Sequence, residues 1–318
     1  MRILTFLFLL LLGAFAQAET YPSRPITLLV PAAAGGGNDT VARVVAEKMG
    51  RILGQQLVVE NRPGAGGGLA ARAVAHSEPD GYTIGIGNPA TLAIAPAMFP
   101  NVGYDPVKDF SPVGMIAASP HILLVNIDDP AHSLAELIAR AKQEKLTFGS
   151  GGAGSPTHLG PELFASMAGI KLTHVPYKGT GPAIADLLGG HITMTFSSLP
   201  PAIGLVRDGK VRPIAVTGAK RSKILPDVPT VSETVPGYES AQRYGIIAPA
   251  HTPVEIVDKL NTALRDALTS DEVAKRVAAE GAEITPSTPQ EYAADIAAEE
   301  AKWGKIIRQL GIKADKAH

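Results

Sequence analysis

The 318-residue sequence contains no cysteine. That excludes disulfides, thiolate metal sites, a cysteine nucleophile and lipid attachment through an N-terminal cysteine. Charge of one sign is missing too, because 29 basic side chains face 30 acidic ones. A nucleic-acid surface or a polybasic membrane contact calls for an excess this chain does not have, so a small neutral or anionic partner is the natural expectation. Long apolar runs are absent beyond the start of the chain. Arg2, the apolar Ile3 to Leu12 and the small-x-small Ala16-Gln-Ala18 read as a cleavable secretory signal peptide over residues 1–18, too short to span a bilayer. Export of a cysteine-free chain points to the periplasm. The eight histidines show neither H-x-x-x-H nor H-E-x-x-H spacing, so no metal site is expected.

What is present is an alternation of short β-branched runs and amphipathic helices. Ile26 to Val30 reads as a buried strand. Val41, Val44, Val45, Met49, Ile52 and Leu53 then recur at helical spacing. Between them lies Pro31-Ala-Ala-Ala-Gly-Gly-Gly-Asn-Asp-Thr40, where three glycines let the backbone turn sharply and Asn38 or Asp39 can cap the helix. Such a helix start presents free N–H groups and partial positive charge, which suits a carboxylate or phosphate.

Further strands are expected at 56–60, 83–87, 122–126, 146–148, 172–177, 191–197, 211–217 and 244–248, with 104–112 as a turn-rich connector. Helices are expected over 133–142 and 183–188, and as three C-terminal stripes of sheet-covering character. The opening pattern recurs at Gly149-Ser-Gly-Gly-Ala-Gly-Ser-Pro-Thr-His158, again after a strand and before a helix. This alternation predicts α/β architecture with mostly parallel sheets, in which ligands bind beyond the carboxyl ends of the strands.

Enzyme chemistry fits poorly. Gly149 to Gly154 matches G-x-G-x-x-G, but the next strand, Leu172 to Tyr177, ends without the acid that would hold a ribose, so no dinucleotide cofactor is expected. Neither Ser150 nor Ser155 has glycine two positions before it, as a hydrolase elbow requires. What remains is a cleft between two lobes, each offering a glycine-rich helix start, with Asn38, Asn88, Ser150, Ser155, Thr157, Ser197 and Ser198 able to add specificity at the rim.

Seven motifs, in order, resemble one family. They are Tyr21-Pro-Ser-Arg-Pro-Ile26, the 31–40 turn, Val59-Glu-Asn-Arg-Pro-Gly-Ala-Gly-Gly-Gly68, Pro79-Asp-Gly-Tyr82, Tyr104-Asp-Pro-Val-Lys-Asp-Phe110, Val175-Pro-Tyr-Lys-Gly179 and Leu225-Pro-Asp-Val-Pro-Thr230. Together they look like the Bug-type extracytoplasmic solute receptors of tripartite tricarboxylate transporters. The resemblance implies a two-lobed type II periplasmic-binding-protein fold with the ligand cleft between lobes. It places lobe 1 at 19–123 and 244–318 and lobe 2 at 124–243, with hinge crossings near 119–126 and 242–250. It also implies a small carboxylate ligand, partly bound through water, membrane transporter subunits as partners, and a monomer. The implied ligand contacts are Ala32, Ala34, Gly35, Gly36, Asn38 and Asp39 from the first turn and Ser150, Gly152, Gly154, Ser155, Thr157 and His158 from the second, with Asn88, Tyr177 and Ser197 facing the same cleft. Many relatives carry an aromatic residue where this chain has Ala32. A ligand-presenting receptor for a membrane sensor and an exported hydrolase are the alternatives.

Overall fold

The computed structural model describes residues 20–35, 37–99 and 101–312. The signal-peptide segment and Gly36 of the first turn lie outside the described residues.

The described residues form ten strands and ten α-helices. Lobe 1 opens with β1 (Ile26–Val30), α1 (Gly37–Leu53), β2 (Leu57–Asn61), α2 (Gly68–Ala75) and β3 (Thr83–Gly87). A π turn at Ala90–Ile94 leads into the single turn α3 (Ala95–Met98), and β4 (Phe110–Asn126) carries the chain onward. Lobe 2 contains α4 (Leu134–Ala141), β5 (Leu146–Ser150), α5 (Pro156–Ala168), β6 (Leu172–Pro176), α6 (Thr180–Leu188), β7 (Met194–Ser198), α7 (Leu199–Arg207) and β8 (Val211–Val216). The chain returns with β9 (Ala241–Pro249), α8 (Val254–Leu268), α9 (Asp271–Ala279), β10 (Glu283–Ile284) and α10 (Pro289–Leu310).

β4 organises both sheets. From Phe110 to Pro120 it runs antiparallel to β9, which pairs β3 and so completes the order β2-β1-β3-β9-β4. From His121 onward the same strand pairs β7 on one side and β8 on the other, with β5 and β6 beyond β7. The segment 104–112, expected as a connector, therefore ends inside a strand. Pro112 and Gly114 flank a register shift and Pro120 is the last residue paired to β9, so the residues that argued against a strand sit at its irregularities. A second correction is α7. The sequence reading places no helix between the strands at 191–197 and 211–217; Pro200 and Pro201 both fall in the first turn of α7, where proline costs no helical hydrogen bond.

The other passage between the lobes falls at Ser240–Ala241, just ahead of 242–250. Thr217 fastens the two crossings together: its N–H donates to His121 O at 2.9 Å, its O accepts from Ser240 N at 2.9 Å, and its hydroxyl donates to Ser240 O.

Each sheet has its own core. Leu28, Val30, Val45, Met49, Ile84, Ile116 and Leu264 pack in lobe 1, whereas Phe148, Leu159, Phe164, Met194 and Phe196 pack in lobe 2. α10 joins both. Tyr292 and Ile296 pack beside Leu29 and Ile247, but Trp303, Ile306 and Ile307 belong to the lobe 2 cluster together with Ala93 and Ile94 from the π turn. Among the described residues no helix is long and apolar enough to cross a membrane.

Candidate functional site

Strand register brings the two glycine-rich turns to facing edges. β1 and β3 are parallel, and Gly87 at the end of β3 is level with Gly245 and through it with Met115 of β4. In lobe 2 the directions reverse, because β7 is antiparallel to β4 and its end, Ser198, pairs His121. β5 runs parallel to β7. The carboxyl ends of β1 and β3 thus point toward lobe 2, those of β5 and β7 toward lobe 1, and both open on β4 around its crossing.

The first turn is held by a closed polar network. Asp39 is buried, and its carboxylate accepts from Gly35 N at 2.9 Å, Arg43 Nε at 3.0 Å and Asn61 Nδ2 at 2.9 Å. Asn61 Nδ2 also donates to Ala32 O at 3.0 Å, and Arg43 donates to Asn61 Oδ1 at 3.0 Å. Burial alone would raise the Asp39 carboxyl. The hydrogen bonds from Arg43, Gly35 and Asn61 and the Arg43 charge outweigh it and hold the group below its ordinary range. Asp39 is therefore occupied in shaping the loop, while Ala34 and Gly35 are exposed at its tip and Ala32 is half-buried. The Asn38 and Asp39 N–H groups at the start of α1 have no partner among the described residues, as expected at a helix start.

Asn88 lies beside this turn. Its Nδ2 donates to Asn38 Oδ1 at 3.0 Å and its Oδ1 accepts from Thr91 N at 3.0 Å, so one side chain ties the first turn to the π turn. Tyr244 and Glu280, which sequence reasoning did not single out, approach the start of α1: a Cβ on Gly37 would stand 3.4 Å from the Tyr244 hydroxyl and 3.4 Å from Glu280 Oε2.

The second turn satisfies most of its own amides. Gly151 N donates to Thr157 Oγ1 at 2.9 Å, Gly152 N to Ser150 Oγ at 3.1 Å, Gly154 N to His158 Nδ1 at 2.9 Å and Ser155 N to Gly152 O at 3.2 Å. Ser155 Oγ donates to Gly152 O at 2.7 Å. The Thr157 N–H in the first turn of α5 remains without a partner among the described residues. The loop is consequently stiff, and what it offers a ligand is one helix start and a set of hydroxyls rather than a row of free glycine amides.

His174 was also missed. It sits on β6 opposite Phe148, and its Nε2 lies 2.6 Å from Ser150 Oγ. The His158 ring lies flat on it, with centroids 3.8 Å apart. Burial, then the neighbouring His158, pushes the His174 imidazole down to about 4. Ser150 is fully buried, and among the described residues no carboxylate is hydrogen-bonded to His174, so the pair lacks the third member that would orient it as a base. Tyr177 follows β6. Its N–H donates to Ser150 O at 3.1 Å and its phenol to Asp186 Oδ2 at 2.6 Å, so it buttresses the turn. Ser197 is fully buried with its hydroxyl donating to Ser198 O, leaving Ser198, at the start of α7, as the half-buried serine of that strand end.

Two matched strand-to-helix turns facing each other across a two-strand crossing define a two-lobed solute-binding protein. The comparisons give the family. Residues 41–312 match the model of the tripartite tricarboxylate transporter family receptor, TctC, and the chain belongs to that family. It is 36% identical to the protein BugT of Bordetella pertussis over 306 residues, 95% of this chain and 94% of that one. Among solved structures, Rpa4515 of R. palustris with adipate is 40% identical with a TM-score of 0.76, covering 92% of this chain and 99% of that one. MatC from Rhodopseudomonas palustris with bound malate is 35% identical with a TM-score of 0.73, covering 90% and 100%. Family and neighbours are solute-binding receptors, not enzymes.

Proposed function

We propose that this protein is a periplasmic receptor that captures a small carboxylate between the 31–40 and 149–158 turns and delivers it to the membrane subunits of a tripartite tricarboxylate-type transporter. The observation that carries the reading is the pair of opposed helix starts. The Asn38 and Asp39 amides on one side and the Thr157 amide on the other are unpartnered donors among the described residues, and a carboxylate accepts strongly from such groups. Ala32, Ala34, Gly35, Gly36, Asn38, Ser155 and Thr157, with the backbone amide of Asp39, are assigned to the ligand. Asp39, Asn88, Ser150, Gly152, Gly154, His158, Tyr177 and Ser197 serve chiefly by holding the turns. The adipate and malate bound by two relatives support the ligand class, and the lobes close about 120–121 and 240–241.

Thermal-shift measurements on mature protein freed of carried-over solute, against mono-, di- and tricarboxylates, test this. At a hundredfold excess over Kd a ligand of the native state stabilises by about 2.7 kcal/mol, a rise of roughly 5 °C. A flat response across the acid panel, with the starting protein verified ligand-free by mass spectrometry, removes the proposal.

A further inference from the structure

Two of the contacts between the lobes fall on glycines, one beside each half of the site. Gly154 belongs to the second turn, and a Cβ placed on it would stand 2.5 Å from Met98 Cε and 2.7 Å from Met98 Sδ, atoms of α3 in lobe 1. Gly281, in lobe 1 between α9 and β10, has the mirror relation: a Cβ there would stand 2.8 Å from Leu199 Cβ and 3.1 Å from Pro200 Cδ at the start of α7 in lobe 2. Separations under 3.0 Å are ones that real side chains do not adopt. Both glycines have positive φ, +74° and +67°, so their backbones are committed to these bends.

Neither contact is loose. Gly154 N is anchored on His158 Nδ1 and Gly281 O accepts from the buried Ser119 hydroxyl at 3.0 Å, next to the β4 crossing. Met98 in turn packs against the lobe 2 core cluster.

We infer that Met98 against Gly154 and Leu199 with Pro200 against Gly281 are the stops that end lobe closure, and that they thereby set the length of carboxylate the clamp accepts. A packed interior does not compress, so one methyl group at either glycine holds the lobes further apart. The helix starts that receive the ligand's ends move apart with them. Shortening Met98 does the reverse on its side. The second half of the inference rests on the carboxylate reading; the contact itself does not.

The test is a cycle of wild type, Gly154→Ala, Met98→Ala and the double variant, with Gly281→Ala as an independent member. Two quantities are read: melting temperature without ligand, and affinity by calorimetry for unbranched α,ω-dicarboxylates from malonate to suberate. Without ligand, the two substitutions at 98 and 154 are expected to be non-additive, the double variant melting above the sum of the single effects. With ligand, Gly154→Ala and Gly281→Ala each weaken the wild type's preferred acid by about tenfold or more, the equivalent of ~1.4 kcal/mol, and move the optimum to a longer acid. Met98→Ala moves it to a shorter one, and the double variant returns toward wild type, which backbone strain at Gly154 alone would not allow. Additive melting temperatures with an unchanged chain-length profile overturn the inference. Non-additive melting with no acid bound by any form keeps the stops and removes the carboxylate reading instead.

Discussion

Asp39 shows how one residue can divide its groups between the loop and the open helix start. Its position at a helix start marks it as a candidate cap and the family resemblance implies a ligand contact; its carboxylate is spent on Gly35, Arg43 and Asn61. Nothing local in the sequence signals this. Asn61 reaches the turn because β2 pairs β1 in parallel with Asn61 opposite Val30, a relation fixed only when the sheet forms. His174 escaped notice for the same reason, since β6 brings it to β5 from 24 residues away. What was legible was the turn chemistry itself: glycine where φ reaches +84° at Gly35, and the short polar residues at the helix starts. Asp39→Asn is expected to cost about 1–3 kcal/mol in urea denaturation, because it removes a charge-assisted acceptor from a buried network. It should also loosen ligand binding through the turn. Unchanged stability together with abolished binding would put the Asp39 carboxylate itself in contact with the ligand.

At the level of elements, strands β1 and β3 were legible to the residue because each is a short run bounded by turn residues, with four of its five positions buried. β4 was obscured by prolines that in fact occupy permitted positions, as do those of α7. The helix cap at Ser133 was legible as well. Ser133 Oγ accepts from Glu136 N at 3.2 Å, although the Glu136 carboxylate accepts from His132 N rather than closing the box on Ser133. The α10 stripe reads as sheet-covering, and the helix covers two cores, which the stripe alone does not reveal. Trp303 anchors its far half: the side chain is buried in lobe 2, and its Nε1 donates at 2.7 Å to the buried Glu299 carboxylate, which also pairs with Lys302. Trp303→Ala should cost about 3–5 kcal/mol from the cavity alone. Trp303→Phe keeps most of the packing and should lose only the buried hydrogen bond, about 1–3 kcal/mol. Chemical denaturation of the two variants separates these terms, and equal losses would mean that α10 is held by Glu299 rather than by its apolar face.

Across the whole molecule, stability should depend on pH through two imidazoles, the buried His121 and the half-buried His174. His121 lies at the β4 crossing and His174 behind the second turn, and each has its pKa pushed down to about 4 by burial as the main cause. For His174 the neighbouring His158 adds to the effect, opposed by the Glu162 charge; for His121 a hydrogen bond with the Ser240 backbone opposes it. In the unfolded chain both titrate at their ordinary value of about 6.5, so between about pH 6.5 and about pH 4 the unfolded state binds more protons than the native one. Stability is then fully present above about pH 6.5 and falls as pH drops toward 4, by at most about 1.4 kcal/mol per pH unit for each histidine. The carboxylates held low in the native state, Asp39 among them, lose their contribution at still lower pH. Because one histidine sits at the β4 crossing and the other behind the second turn, acidification acts on both places together. Urea denaturation followed from about pH 7 to about pH 4 should show the slope in wild type and a shallower one in both His121→Gln and His174→Gln. A slope that survives both substitutions unchanged would place the titration elsewhere, and with it the link between protonation and the two crossings.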